Sequence, residues 1–260
     1  MTQHEKAEAF RALHEGEPFM IPNPWDAGSA RMLEALGFKA LATTSSGFAF
    51  TRGRLDGGVT LDEVADHTQL LSSVTSVPVA VDLENGYGDA PEAAALAITT
   101  VAGAGAVGGS IEDYDGADAL YPLDLAVERV AAAVEAARAL DFPFTLTARA
   151  EGQLHEPDLD DTIARLQAYE RAGADVLFAP GLRSGDEVRA VCSAVSRPVN
   201  VLGHKGLSMA EIAEAGGQRV SIGGALTWVA VAAAADAAAH LRDGDFSVLT
   251  ARPPLGDWLG

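Results

Sequence analysis

Three things are scarce in this sequence: cysteine, basic side chains and long apolar runs. Cys192 is the only cysteine in 260 residues, so an intramolecular disulfide is excluded and a reducing compartment is expected. Lys and Arg number 18 against 37 Asp and Glu, and the resulting net charge of −19 argues against a surface for nucleic acid or for an anionic membrane. Residues 1–6 lack the apolar stretch of a signal peptide, so we expect a cytoplasmic protein.

What the chain does have is a repeated alternation of short apolar runs with helical patterns. Hydrophobic residues make up 48% of it and charged residues 21%, which is typical of a folded protein with a sizeable core. The predicted strands are residues 19–21, 40–43, 77–81, 106–111, 144–148, 176–178, 198–202 and 219–222. The predicted helices are residues 5–15, 26–36, 60–74, 92–102, 123–140, 160–171, 185–195, 208–214 and 225–242.

Eight strand–helix units without a linker predict one α/β domain, residues 1–260, folded as a (β/α)8 barrel. A doubly wound open sheet is the alternative. Residues 45–48 are read as the loop after the second strand, and residues 243–260 as an irregular tail.

The helix over 225–242 has no clear polar face, because Trp228, Val229 and a run of alanines surround it. Such a helix should be buried on several sides. It is too short and too rich in alanine for a membrane span. We therefore expect a subunit interface there, or else packing on the helix's own barrel.

Polar side chains collect where the predicted strands end. Asp82 and Glu84 follow the third strand, and in an extended chain residues two apart leave the same face. Two carboxylates before the glycine turn of Gly86 and Gly88 favour a hard cation, although a polar strand end capped by a turn is the simpler interpretation. The residues at or just past strand ends, where barrel active sites lie, are Ser46, Asp82, Glu84, Glu112, Arg149 and His204.

With those residues in place, the chain resembles the phosphoenolpyruvate mutase/isocitrate lyase superfamily, from Asn23-Pro24-Trp25-Asp26 to Ser221-Ile222-Gly223-Gly224. The most specific segments are Ser46-Gly47, Asp82 to Gly88, Ser110-Ile111-Glu112-Asp113 and Thr147-Ala148-Arg149. The resemblance implies a (β/α)8 barrel whose eighth helix is exchanged between subunits of a dimer, commonly within a homotetramer. It also implies Mg²⁺, or Mn²⁺, and a small anionic 2-oxo or 2-hydroxy acid as substrate.

The same resemblance implies a role for each matching residue. Asp82, Glu84 and Glu112 correspond to the acidic metal shell. Ser46 and Gly47 correspond to the part that holds the substrate carboxylate, with Arg149 as its charged partner. Asp56 lies in what resembles the mobile loop after the second strand. On this basis Arg149, Glu112 and Asp56 are the predicted catalytic residues; the simpler alternative for Arg149 is an ion pair with Glu112 or Glu151.

Departures from the family pattern leave the reaction open. The segment Tyr114 to Pro122 contains neither the lyase cysteine nor its lysines, Ala179-Pro180-Gly181 replaces a lyase histidine or acid, and Glu84 replaces an aspartate.

We expect an Mg²⁺-dependent lyase that cleaves a C–C bond, and an oxaloacetate-type decarboxylase needs no cysteine donor. The alternatives are a P–C bond mutase or hydrolase with Arg52, Arg54 and Lys205 as a second anion pocket, or a non-catalytic binding protein. A phosphate-binding barrel using the glycines of 203–206 and 223–224 is a further alternative.

Overall fold

The fold is an eight-stranded sheet surrounded by helices. The computed structural model describes residues 1–117 and 119–260, and Asp118, in the segment that replaces the cysteine loop, lies outside the described residues. The strands are β1 (Phe19–Ile21), β2 (Leu41–Ala42), β3 (Val79–Asp82), β4 (Gly108–Glu112), β5 (Thr145–Arg149), β6 (Val176–Phe178), β7 (Val199–Leu202) and β8 (Arg219–Ser221). The helices are α1 (Gln3–Leu13), α2 (Ala27–Ala35), α3 (Ser45–Thr51), α4 (Leu61–Val74), α5 (Pro91–Gly103), α6 (Leu123–Arg138), α7 (Gly152–His155), α8 (Leu159–Ala172), α9 (Gly185–Ala194), α10 (Met209–Glu214), α11 (Ala225–Arg242) and α12 (Leu255–Leu259).

The strands form one parallel sheet in the order β1-β8-β7-β6-β5-β4-β3-β2. Every strand from β2 to β8 pairs with its neighbour in sequence, and β1 returns to β8, which is the order of a barrel and not of a doubly wound sheet. The predicted (β/α)8 barrel is therefore confirmed. Its register places Asp82 beside Ser110 and Glu112 beside Arg149, so that three charged side chains reach the same end of the barrel.

The core lies mainly between the outer faces of the strands and the helices. Val81, Leu146 and Leu177 point outward into it, and packed side chains such as Ile98 and Leu166 cover them. Burial of this apolar layer is the main favourable contribution to folding. Because side chains alternate along a strand, the remaining strand residues face the barrel interior.

The barrel closes between β1 and β2 through a seam with little backbone pairing. Pro22 and Pro24 have no N–H to donate, and the backbone bond at the seam runs from Ala42 N to Pro22 O at 3.1 Å. The Asn23 side chain completes the closure: its Nδ2 donates to Thr43 O and its Oδ1 accepts from Ile222 N, both at 2.9 Å. Asn23 is buried, and it thereby ties β2 to the end of β8.

Local sequence signals position the helices. Thr60 and Glu63 form the predicted capping box at the start of α4, in which each side chain bonds the other residue's backbone N–H. Asp26 caps α2 in the same manner with Ser29, and Pro91 occupies the first turn of α5. These caps satisfy orphan N–H groups at the helix starts.

Two local predictions are wrong. Residues 45–48 are the start of α3 rather than a loop, because Thr44 caps a helix there and accepts from Gly47 N. The tail after residue 242 is not wholly irregular, since α12 lies within it and packs against α2. The short helix α7, which follows β5, was not predicted.

Helix α11 has the predicted bounds and extends away from the rest of the chain. Thr227 is its one buried residue, while the side chains of Trp228 and Val229 are 44% and 67% exposed. Within the described residues, no helix has both the length and the apolar character needed to cross a membrane.

Candidate active site

A pocket of about 180 Å³ opens at the carboxyl ends of the strands. Its wall includes Ser46, Asp56, Asp82 and Arg149. Since one water occupies about 30 Å³ of the liquid, this volume corresponds to roughly six waters, which suits a small molecule. A larger cavity of about 540 Å³ lies at the opposite end, but the carboxyl ends are where barrels carry their chemistry.

Arg149 forms the centre of the charged cluster in this pocket. Its Nη1 donates to Asp82 Oδ1 at 2.7 Å, its Nε donates to Glu151 Oε1 at 2.9 Å, and its Nη2 lies 3.0 Å from Glu112 Oε2. The ring of Phe178 lies 5.4 Å from the guanidinium carbon. The simpler alternative drawn from the sequence, an ion pair with Glu112 or Glu151, is therefore present in the structure, and Asp82 is added to it.

Burial and mutual charge shift the pKa values of this cluster. Burial alone would lower the pKa of Arg149, but Glu151, Glu112 and Asp82 raise it well above its ordinary value. Burial raises the pKa of Glu112 well above its usual range and raises that of Glu151, against the attraction of Arg149. The guanidinium stays charged, and Asp82, Glu112 and Glu151, if all were ionised, would carry more negative charge than one cation balances, which is unfavourable without further positive charge.

Asp82 and Glu84 do not share a face in the manner that an extended chain would give. Strand β3 ends at Asp82, and Glu84 has a φ of 49°, in the left-handed region. Asp82 faces the pocket, whereas Glu84 lines a neighbouring groove with Tyr87. Burial raises the pKa of Glu84 to about 7, and the negative charges of Asp82 and Asp56 add to that rise.

Ser46 and Gly47 lie in the first turn of α3. Ser46 lines the pocket, and its Oγ lies 3.2 Å from Thr44 Oγ1. The Gly47 amide donates to Thr44 Oγ1 at 3.3 Å, behind the pocket wall. A Cβ at position 47 would lie 2.6 Å from both Thr227 Oγ1 and a Thr44 methyl carbon, so only glycine fits this approach.

Asp56 comes to the pocket mouth from the loop between α3 and α4. Its side chain is largely exposed, but its carboxyl end faces the cluster. Local burial raises the pKa of Asp56, the Ser45 side chain opposes the rise, and the charge of Asp82 adds to it. Asp56 therefore joins the same electrostatic group as Asp82 and Glu84.

The donors at this site suit a hard divalent cation. Asp56, Asp82, Glu84, Glu112 and Glu151 bring five carboxyl groups around the single guanidinium of Arg149. Carboxylates are the oxygen ligands that Mg²⁺ prefers, and Mg²⁺ retains several waters, so it needs few direct protein ligands. Across residues 1–117 and 119–260, no three His, Cys, Asp or Glu side chains are already arranged to hold a metal ion. The fit is therefore one of donor chemistry and charge.

Several residues considered for other roles lie outside the pocket. Arg52 and Arg54 both pair with Glu63, at 3.1 and 2.7 Å, and neither lines the pocket of Arg149. His204 borders a separate groove, where its Nδ1 accepts from Gly206 N. Cys192 is half-buried, and burial raises its pKa to about 11, which does not favour a thiolate.

Two residues of the pocket region, Asn200 and Arg219, were missed in the sequence, whereas Glu151 was predicted as an alternative partner of Arg149. Glu151 is buried against Arg149, while Asn200 and Arg219 lie deeper in the barrel and line the pocket floor. For Asn200 the available signal was a polar residue inside an otherwise apolar strand of a parallel sheet. Alternation alone did not indicate which of these side chains would face the barrel interior.

Comparison with known proteins agrees with this geometry. The model of the family described as phosphoenolpyruvate phosphomutase matches residues 10–242. A crystal structure from Burkholderia cenocepacia J2315, named only as a candidate lyase/mutase, is 54% identical, with a TM-score of 0.94 over 98% of this chain and 95% of that chain.

Two relatives have more specific names. An oxaloacetate decarboxylase of Bradyrhizobium sp. (strain BTAi1 / ATCC BAA-1182) is 32% identical over 85% of this chain and 79% of its own length. The structure of a 2,3-dimethylmalate lyase, described as a PEP mutase/isocitrate lyase superfamily member, is 29% identical with a TM-score of 0.87, and the match covers 100% of this chain and 95% of that one. Fold and family match agree, and the chain belongs to the phosphoenolpyruvate phosphomutase family, within the PEP mutase/isocitrate lyase superfamily.

Proposed function

We propose that the protein is an Mg²⁺-dependent lyase that cleaves a C–C bond in a small 2-oxo or 2-hydroxy carboxylic acid. The observation that carries the proposal is the position of Arg149, a guanidinium held among Asp82, Glu112 and Glu151 at the wall of a small pocket. Such a cation suits a carboxylate substrate. The excess of acids around it suits a metal ion.

Arg149 is the proposed clamp for the substrate carboxylate. A guanidinium presents two parallel N–H donors that match a carboxylate, and Nη1 and Nη2 now face Asp82 and Glu112. These donors turn toward a substrate only when other positive charge balances the two acids. Ser46, on the pocket wall, would donate its hydroxyl to the same carboxylate, with Gly47 supplying the close backbone approach.

Asp82, Glu84 and Glu112 are the residues that would hold Mg²⁺, in part through waters. When bound, the ion supplies positive charge that stabilises an enolate oxygen. Asp56, at the mouth of the site, is the proposed residue for holding a proton during turnover, because burial raises its pKa. Glu112 would stay ionised beside the bound cation, and its proposed catalytic part is to hold the ion against the substrate.

Decarboxylation of a 2-oxo dicarboxylate is the simplest reaction for these residues. The bond to the distal carboxylate breaks, CO₂ leaves, and the electron pair remains on the substrate as an enolate. Uptake of one proton at carbon then gives a 2-oxo monocarboxylate. This course requires no cysteine, and a relative named oxaloacetate decarboxylase supports it.

The test measures both turnover and metal binding. Oxaloacetate is incubated with the protein in Mg²⁺ or in EDTA, and pyruvate is followed against a protein-free Mg²⁺ control, since the free ion also promotes this decay. Calorimetry then compares Mg²⁺ binding by the wild type, Asp82→Asn and the control Asp175→Asn, whose side chain pairs with Arg138 away from the pocket.

We expect Mg²⁺-dependent turnover and a loss of Mg²⁺ affinity in Asp82→Asn alone. Unchanged affinity in that variant would rule out the metal site. If neither oxaloacetate nor other 2-oxo and 2-hydroxy acids were turned over while Mg²⁺ and oxalate still bound, the protein would be a binding protein instead.

A further inference from the structure

Arg219 is a buried guanidinium inside the barrel that has only neutral partners. Its Nε donates to Asn200 Oδ1 at 2.8 Å, its Nη2 donates to Thr147 Oγ1 at 2.9 Å, and its Nη1 lies 3.1 Å from His14 Nε2. Arg219 is 6% exposed. Within residues 1–117 and 119–260, no carboxylate lies within the 4.0 Å of an ion pair with it.

The His14 contact is also neutral. His14 Nδ1 lies 2.8 Å from the Phe10 carbonyl, which can only accept, so Nδ1 carries the proton and Nε2 accepts from Arg219. Burial, together with the charge of Arg219, lowers the pKa of His14 to about 3. Burial also lowers the pKa of Arg219, to about 9, which leaves it charged at neutral pH.

A buried charge without a counterion is unfavourable, and proteins usually pair such charges. Three of the five N–H donors of Arg219 are used by Asn200, Thr147 and His14. The guanidinium lines the same pocket as Arg149, and the small side chains of Ala42, Ala80 and Ser110 leave the pocket interior open where barrels usually carry bulky side chains.

The spacing between the two guanidinium groups suits a short diacid. Thr147, which binds Arg219, and Arg149 are two residues apart on β5 and share a face. Two strand residues span about 6.6 Å, so the second cation lies about one layer of side chains below the first. A four-carbon chain with a carboxylate at each end can bridge such a gap.

We propose that Arg219 is a specificity-determining residue that binds, at the pocket floor, the distal carboxylate of a diacid substrate. This contact favours C–C cleavage in which the distal carboxylate stays on a product over decarboxylation, because a cation paired with that group opposes its loss as neutral CO₂. The inference rests on the proposed function, in which Arg149 and the metal hold the 2-oxo or 2-hydroxy acid end. It assigns the deep end of the pocket to a second acidic group, with Asn200 and Thr147 orienting the guanidinium that receives it.

The test compares ligands that differ only in the distal group. Kd values for oxalate, lactate and malate are measured by calorimetry with Mg²⁺ present, and malate is lactate with an added carboxylate. A hydrogen-bonded charge pair contributes about tenfold to one-hundredfold in affinity. We therefore expect wild-type protein to bind malate at least about tenfold more tightly than lactate.

Two variants test whether Arg219 causes this preference. Asn200→Asp places a carboxylate on Arg219 Nε without changing side-chain size, so it should raise the melting temperature and reduce the malate preference to about twofold or less. Arg219→Met should remove the same preference. Oxalate and lactate, which need only the Arg149 end, should keep their wild-type affinity within about twofold in Arg219→Met.

The outcomes separate the two proposals. Failure of oxalate to bind wild-type protein would reject the proposed function, whereas binding of oxalate with no malate preference would reject the role of Arg219 alone. If acetate tightened lactate binding while malate showed no preference, the pocket floor would bind a separate anion and not the distal carboxylate of the substrate. If Arg219→Met does not fold, a crystal structure of the wild type with malate tests the inference instead. A distal carboxylate farther than about 3.5 Å from the Arg219 guanidinium would overturn it.

Discussion

At the scale of single residues, Arg149 and Arg219 show how the same side chain takes different roles in one barrel. Arg149 is surrounded by carboxylates and is held as a cation by them. Arg219 has neutral partners and is charged in spite of its burial. A substrate carboxylate competes with protein acids at Arg149, whereas at Arg219 it would meet no protein carboxylate among the described residues.

The substitution Arg149→Lys keeps the charge but removes the planar pair of donors. We expect kcat/KM to fall by a factor that corresponds to about 2–4 kcal/mol of lost transition-state stabilisation, while Mg²⁺ binding and the melting temperature change little. Steady-state kinetics and calorimetry on the purified variant provide the measurement, with Arg138→Lys as a surface control. A lysine variant with most of its activity would make Arg149 a structural brace for Asp82, Glu112 and Glu151.

His67 gives a prediction for acid stability. It stacks on Phe48, its buried Nε2 has no hydrogen-bond partner among the residues that the structure describes, and burial lowers its pKa to about 4 against the attraction of Asp26. The unfolded chain binds a proton below its ordinary pKa of about 6.5, so stability is complete above that pH and decreases as the pH falls toward 4.

Protonation of His67 in the unfolded chain should lower the free energy of unfolding by about 2 kcal/mol at pH 5, relative to neutral pH. His67→Phe keeps the stacked ring and removes the titration, so it should lose less stability than the wild type between pH 7.5 and pH 5. Urea unfolding at both pH values measures the difference. Equal losses in the two proteins would mean that other groups dominate the acid response.

At the scale of elements, the side chain of Asn23 supplements the backbone bond that closes the seam between β1 and β2. Asn23 both donates to Thr43 O and accepts from Ile222 N, which a carboxylate cannot do. The segment that follows, Pro24 to Asp26, leads directly into the cap of α2. One amide therefore links the strands on both sides of the closure.

Asn23→Asp should lower the free energy of unfolding by about 1–3 kcal/mol at pH 8, because the new carboxylate faces the Thr43 carbonyl. Below the pKa of the new carboxyl group, the protonated acid can donate to that carbonyl, so the loss should shrink near pH 4. Urea unfolding of the wild type and the variant at both pH values tests this. A loss that does not depend on pH would assign the effect to packing alone.

The strands and most helices were predictable because apolar runs and caps are local signals. All eight strands fall within or next to their predicted ranges, and the predicted cap at Thr60 is present. Helix α3 was missed because Ser45, Ser46 and Gly47 are poor helix formers, and the helix depends on the cap by Thr44. The face of Glu84 was misjudged because a left-handed residue reverses the alternation of a strand.

Less of the candidate site than of the fold could be read from the sequence. The strand-end residues Asp82, Glu112 and Arg149 were found, because the carboxyl ends of parallel strands meet. Arg219 was not, because it begins its strand and reaches the pocket only through its long side chain. Such reach depends on three-dimensional packing and leaves no periodic pattern.

At the scale of the whole molecule, α11 is the helix whose surface a single chain leaves mostly uncovered. Most of its eighteen residues are exposed, and its alanine-rich surface would be solvated in an isolated subunit. Large exposed apolar surfaces are typical of interaction sites. We expect a homo-oligomer, a dimer or a tetramer, in which α11 packs on a second copy.

Ala232→Glu should weaken that assembly, because a charge buried in an apolar contact is unfavourable. Light scattering should show a smaller species for this variant than for the wild type. The matched control is Ala131→Glu, on an exposed position of α6, which should leave the assembly unchanged. A monomeric wild type would show that the exchange of α11 is wrong.

The two prolines at the seam also affect where the barrel opens locally. The backbone bond there runs from Ala42 N to Pro22 O, so β1 and β2 share fewer backbone hydrogen bonds than β4 and β5 do. Local openings should therefore begin at β2, and its amides should exchange hydrogen for deuterium earlier than those of β4 and β5. The pocket wall at Thr44 and Ser46 adjoins this strand. A ligand bound to that wall should therefore slow hydrogen exchange of the β2 amides.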